Sequence, residues 1–196
     1  MISTPTIPVP TSPKLWDYAV AELQTELAAN IPWLTSAFGK AQRMAKTGPD
    51  GREIRFPGVF TGANSTNSLG GYLNMFPDGH IGNYCWLDVA DYQEMQVERE
   101  LYQELRADIG LVFWLDLRLA YPADYESRTI EHAKSDVLTA LRAVRLTRST
   151  LLIEKVSERV ENIYRGYTYS EVESQVLMFP FTGFRLEGEM IIREQC

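Results

Sequence analysis

Carboxylates are the most frequent chemically capable side chains in this chain, 26 Asp and Glu against 19 Lys and Arg. Asp88 and Asp91 fall close together at the end of an apolar run, and Glu94, Glu98, Glu100 and Glu104 follow. Paired carboxylates can share acid–base work or hold Mg²⁺. Here the spacing is loose and the neighbours are charged or amide residues, which is the composition of a solvated face. Asp116 differs, because it lies inside the most apolar stretch of the chain. Arg118, two residues on and on the same strand face, is its natural partner. His80 follows a Pro77-Asp78-Gly79 turn, and His132 falls on the surface of a predicted helix. Cys85 and Cys196 form no CxxC pair and make no metal-ligand spacing with either histidine. There is no GxSxG elbow, and no phosphate-binding glycine pattern follows Gly70-Gly71. The expectation is a chain with no catalytic residue, no metal and no cofactor.

The elements that would position any such residues are clearer. Ile109, Leu111, Phe113, Leu115, Leu117 and Leu119 alternate along one strand face. The opposite face, from Val112 through Trp114, Asp116 and Arg118, grows more polar toward its end. Pro122 breaks the run, and residues 125–144 then recur at helical spacing, with Ile130, Ala133, Val137, Leu138, Leu141 and Val144 as the buried stripe. Upstream, Ser12-Pro13 reads as an N-cap followed by proline at the first helical position, opening a helix to about Ala29. Its stripe is Leu15, Trp16, Ala19, Leu23, Glu26 and Leu27.

Residues 42–45 and 53–60 flank a Thr47-Gly48-Pro49-Asp50-Gly51 turn and predict a hairpin, with Pro57 marking an edge or a bulge. Residues 72–76 and 84–89 predict a second pairing. Residues 151–156 and 184–193 predict further strands, the latter with Phe184, Leu186, Met190 and Ile192 on one face, and residues 157–164 predict one helical turn or two. Residues 95–104 fit strand or helix equally. The expected fold class is α+β: a mixed, largely antiparallel sheet with two main flanking helices. The expected organisation is an extended proline-rich arm over residues 1–12 and a single domain over 13–196, with a long mobile loop at 61–71.

Composition bounds the function classes. The chain has 196 residues, 45% apolar and 23% charged, with a formal net charge of −7. Binding to nucleic acid by phosphate neutralisation needs a basic surface. The nearest candidate, Arg142, Arg145 and Arg148, sits at a helix C-terminus, where the dipole favours cations anyway. No signal peptide or membrane span is expected, and a disulfide between Cys85 and Cys196 stays open without a pattern to support it, which gives a cytoplasmic reading. Phe179-Pro180-Phe181-Thr182-Gly183-Phe184 is an apolar cluster broken by Pro and Gly. Phe179, Pro180, Phe181 and Phe184 are therefore candidate subunit contacts, and Asn64, Asn67 and Leu69 of the long loop join them.

Three segments carry a resemblance: Phe56-Pro57-Gly58-Val59-Phe60 with Gly71-Tyr72-Leu73-Asn74-Met75, then Ile109-Gly110-Leu111-Val112-Phe113-Trp114-Leu115-Asp116-Leu117, then Leu177-Met178-Phe179-Pro180-Phe181-Thr182-Gly183-Phe184-Arg185. In order and spacing, over about residues 50–195, they resemble tail terminators, or neck proteins of the same fold, from tailed bacteriophages and prophages of the Bacteroidetes type. The long loop and the proline-rich arm depart from a minimal tail terminator. The resemblance implies a ring, usually a hexamer, at the head–tail junction of the virion, assembled in the bacterial host's cytoplasm. Its partners would be copies of itself, the tail tube and the head connector, with DNA passing through the lumen unbound and no membrane involved. It implies no catalysis. Two other readings stand beside it: a metal-dependent enzyme using Asp88, Asp91 and Asp116, and an adaptor that binds a partner through the Gly/Ser/Asn loop.

Overall fold

The computed structural model describes residues 5–62, 71–77, 81–90, 93–96, 102–172 and 177–195. Its elements run α1 (Trp16–Asn30), β1 (Ser36–Thr47), β2 (Glu53–Phe60), β3 (Tyr72–Asn74), β4 (Tyr84–Val89), β5 (Gln93–Gln96), β6 (Tyr102–Asp116), α2 (Leu117–Ala120), α3 (Ile130–Ala143), β7 (Ser149–Ser157), α4 (Val160–Ile163) and β8 (Phe181–Gln195). The strands form one sheet in the order β3-β2-β1-β4-β6-β8-β7, and β5 pairs with the first part of β6. Every pairing is antiparallel except β1 with β4. The class is α+β.

Alternation along the strands gives each face its own core. On one face, Leu111, Phe113 and Leu115 of β6 and Phe184, Leu186 and Met190 of β8 pack under Leu23 and Leu27 of α1 and Val137 of α3. On the other face, Tyr84 and Trp86 of β4 and Val112 and Trp114 of β6 pack with Ile163, Tyr164 and Tyr167. β8 is the spine of this arrangement. It pairs with β6 from Asp116↔Phe181 to Tyr102↔Gln195, and with β7 on its other side.

Several expectations need correction. The first helix begins at Trp16, because Ser12 (φ 56°) and Leu15 (φ 49°) both take left-handed backbone and Leu15 caps nothing with its side chain. Leu15 is exposed, and Gln24 is buried in the helix face beside Val20. Gln24 Nε2 donates to Ala37 O (2.7 Å) and Pro8 O (3.1 Å). The described part of the proline-rich arm is therefore docked, with Thr6 bridging β1 at Ser36. The long strand ends at Asp116; Leu117 and Leu119 belong to α2, and Leu119 is exposed. The second helix begins at Ile130, after a separate 3-10 turn at Tyr125–Ser127.

Residues 72–76 and 84–89 do not pair with each other. β3 pairs β2, while β4 inserts between β1 and β6. Pro57 is not at a bulge, since the β1–β2 ladder runs through it without a register shift, and it falls where the other side of β2 is still open. It lies one residue before the β2–β3 pairing begins, opposite Arg43, and its carbonyl accepts from Met75 N. Asn64, Asn67, Leu69, His80, Asp91 and Cys196 lie outside the described residues.

Candidate functional site

Asp116 terminates β6 and caps α2, its carboxylate accepting from Arg118 N (2.9 Å). The same carboxylate grips the Arg118 guanidinium in bidentate fashion, Nη2 to Oδ2 at 2.7 Å and Nε to Oδ1 at 3.0 Å. The expected pair thus forms at a helix start rather than across a strand face. The hydrogen bond to Asp116 raises the Arg118 pKa further. Arg118 lies over the Phe181 ring at 5.1 Å, and Phe181 stacks on Trp114 at 5.6 Å. Pro180 O accepts from Leu117 N (2.9 Å), and Met178 O accepts from Phe181 N (2.8 Å). The segment 178–181 is thereby fastened to the junction of β6 and α2.

On this base Met178 and Phe179 stand 63% and 61% exposed. Phe179 is not loose, since its ring stacks on Tyr125 at 6.1 Å and 19°. Tyr121, nearby in sequence, donates its hydroxyl to Asp136 of α3 (2.6 Å), which also accepts from Trp33 Nε1 (3.0 Å). Apolar side chains held in place before contact lose little freedom on association.

The candidate contacts separate accordingly. Phe179 is presented outward, with Pro180 half-buried beneath it. Phe181 faces the aromatic core, and Phe184 is fully buried against Phe113 (5.1 Å between ring centres). Phe184 is thus corrected from contact residue to core residue: it sits at an inward register position of β8. Met178, Leu119 and the Tyr125 support were not singled out. Alternation carries the strand face through Leu119, and Pro122 is the first break in the run.

A second polar centre lies on the sheet face away from α1 and α3. Arg185, 7% exposed, places Nη1 3.0 Å from Asp88 Oδ2 and 3.4 Å from Ile163 O. Tyr167 donates its hydroxyl to Asp88 Oδ1 (3.3 Å), and burial, reinforced by Asp88, pushes its own pKa up. The guanidinium lies over Gly110, where a Cβ would meet Arg185 Cζ at 2.1 Å. A glycine inside a run of large strand residues is the sequence signal for that close approach.

This geometry bears on the carboxylate set. Asp88 is matched by Arg185 and Asp116 by Arg118. Asp88 pairs in register with Gly110, so Asp116 lies about 20 Å further along β6. The structure does not bring the two together. Among the described residues no group of three His, Cys, Asp or Glu is placed to hold a metal ion. His132 makes a capping box with Thr129 at the start of α3. Cys85 is a free thiol whose burial pushes its pKa far up. Among the described residues no helix is long and apolar enough to cross a membrane. No protein-family model matches the chain, and no curated protein matches it.

Proposed function

We propose that this protein is a virion building block, a tail terminator or neck ring of a tailed bacteriophage that caps the tail tube and joins it to the head connector. The observation that carries the reading is the Met178–Phe179 prominence: two large apolar side chains exposed in adjacent positions, yet braced by Tyr125 and by the Leu117–Pro180 backbone bond. Braced and exposed apolar groups of this kind mark a surface made for another protein. The resemblance of three separate segments to tail terminators and neck proteins supplies the particular assembly.

A ring uses a heterologous contact, one surface meeting a different surface on the next copy. A sheet with helices on one side gives such contacts a stiff base. The net charge of −7 suits a lumen through which DNA slides without being held. Native mass spectrometry of the purified chain, alone and with the cognate tail-tube and connector proteins, tests the reading. Closed oligomers of one copy number are expected, and a monomer under both conditions would overturn it.

A further inference from the structure

The prominence has a candidate mate on the same chain. Between α3 and β7 runs a groove of about 480 Å³, floored by Leu138, Leu141, Leu151 and Ile153. β7 is the last strand of its side of the sheet. Arg193 N donates to Arg148 O, so the alternation of an antiparallel ladder turns the N–H and C=O groups of Ser149 and Leu151 away from β8. Ser149 Oγ, which also lines the groove, is buried with no hydrogen-bond partner among the described residues. Along the rim, Arg142 and Arg145 are exposed and form no ion pair among the described residues.

Prominence and groove cannot meet within one molecule. Phe181 starts β8, whereas Leu151 pairs with Met190, about nine residues or roughly 30 Å along the same strand. Their chemistry nevertheless matches. The prominence is apolar with an acidic neighbour: Glu126, next to the Tyr125 that braces Phe179, is exposed and has no ion pair among the described residues. The groove is apolar with a basic rim.

Resting on the ring reading, we infer that the groove between α3 and β7 receives the Met178–Phe179 prominence of a second copy. Glu126 then meets Arg142 or Arg145, and the contact repeats head to tail. The two halves lie at opposite ends of β8, so each copy keeps one of each free for the next. A free knob and a free groove at the two ends are what a ring or a filament requires, whereas reciprocal exchange between two copies would close a two-fold dimer.

Mixing variants tests this by light scattering and native mass spectrometry, with circular dichroism confirming each fold. Phe179→Ser removes the knob and keeps the groove. Ser149→Trp, on the same strand face as Leu151 and lining the groove, blocks it and keeps the knob. Each variant alone is expected to be monomeric. The two mixed are expected to form one-to-one heterodimers and stop, because only one junction is intact. Arg142→Glu, an exposed rim change, is expected to weaken assembly by about tenfold or more. If the wild type assembles and the variants assemble equally well, or if the mixture gives no heterodimer, the pairing is wrong while the ring reading stands. A wild type that remains monomeric even with tube and connector proteins overturns both.

Discussion

The two faces of the sheet are built from the same strands and solved differently. Under α1 and α3 the covering residues recur at helical spacing, and the strand residues below them are mostly aliphatic: Leu111, Leu115, Leu186 and Met190. On the other face the covering residues near Tyr84, Trp86 and Trp114 come from α4 and the chain just after it, at Ile163, Tyr164 and Tyr167. Large rings bridge the distance that a helix would have filled, and they bring polar atoms with them. Trp86 Nε1 is buried with no partner among the described residues, and Tyr167 reaches Asp88 beside the buried Arg185. A helix-covered face can be almost purely apolar, whereas a face covered by irregular chain must accommodate hydrogen-bonding groups and charge.

Substitutions on the two faces can break or sharpen this contrast. Trp86→Ala removes one of the two largest buried rings of the aromatic face, and denaturant melts are expected to show a loss of about 3–5 kcal/mol. Leu115→Ala, on the helix-covered face, is expected to cost about 2–5 kcal/mol. A Leu115 effect near zero would mean that the helices do not close over that strand. Arg185→Met leaves the half-buried Asp88 carboxylate without its cation, at an expected cost of about 3 kcal/mol by the same measurement.

Gly110→Ala drives a Cβ into that guanidinium and is expected to cost about 1–3 kcal/mol. Combining it with Arg185→Met should cost less than the sum of the two, as a thermodynamic cycle would reveal. Phe179→Ser, at an exposed position outside both cores, is expected to change monomer stability by less than about 0.5 kcal/mol. A larger loss would show that the ring is core rather than contact surface.

The helix-covered face was legible because both of its layers are periodic. Ile109, Leu111, Phe113 and Leu115 announce a strand, and Phe184, Leu186, Met190 and Ile192 announce its neighbour. Ala133 and Val137 announce the helix above them. The aromatic face was not legible, since residues 160–172 show no sustained period and their burial depends on where β4 lies. That placement is set by non-local pairing, in parallel with β1 and antiparallel with β6, against the local turn chemistry at Pro77-Asp78-Gly79 that favours a hairpin with β3.

Of the candidate contacts, composition singled out Phe179 and its neighbours. Phe184 is inward by its register in β8, whereas Phe179 precedes the strand and stands exposed in the turn before it. Asp116 and Arg118 were paired correctly from their proximity, although the strand was expected to continue through them. Here a carboxylate serves both as helix cap and as ion-pair partner, and the first role fixes where the strand stops.

The length of β8 also has a mechanical consequence. It is zipped to β6 along fifteen consecutive residues, and the two strands run in opposite directions. A tug on one end of β8 along its axis, resisted through β6, loads those rungs together in shear instead of peeling them one by one. Tension arriving at Phe181 is thus shared along the strand before it reaches Met190, and the molecule can transmit a pull from one neighbour to the next as a strut does.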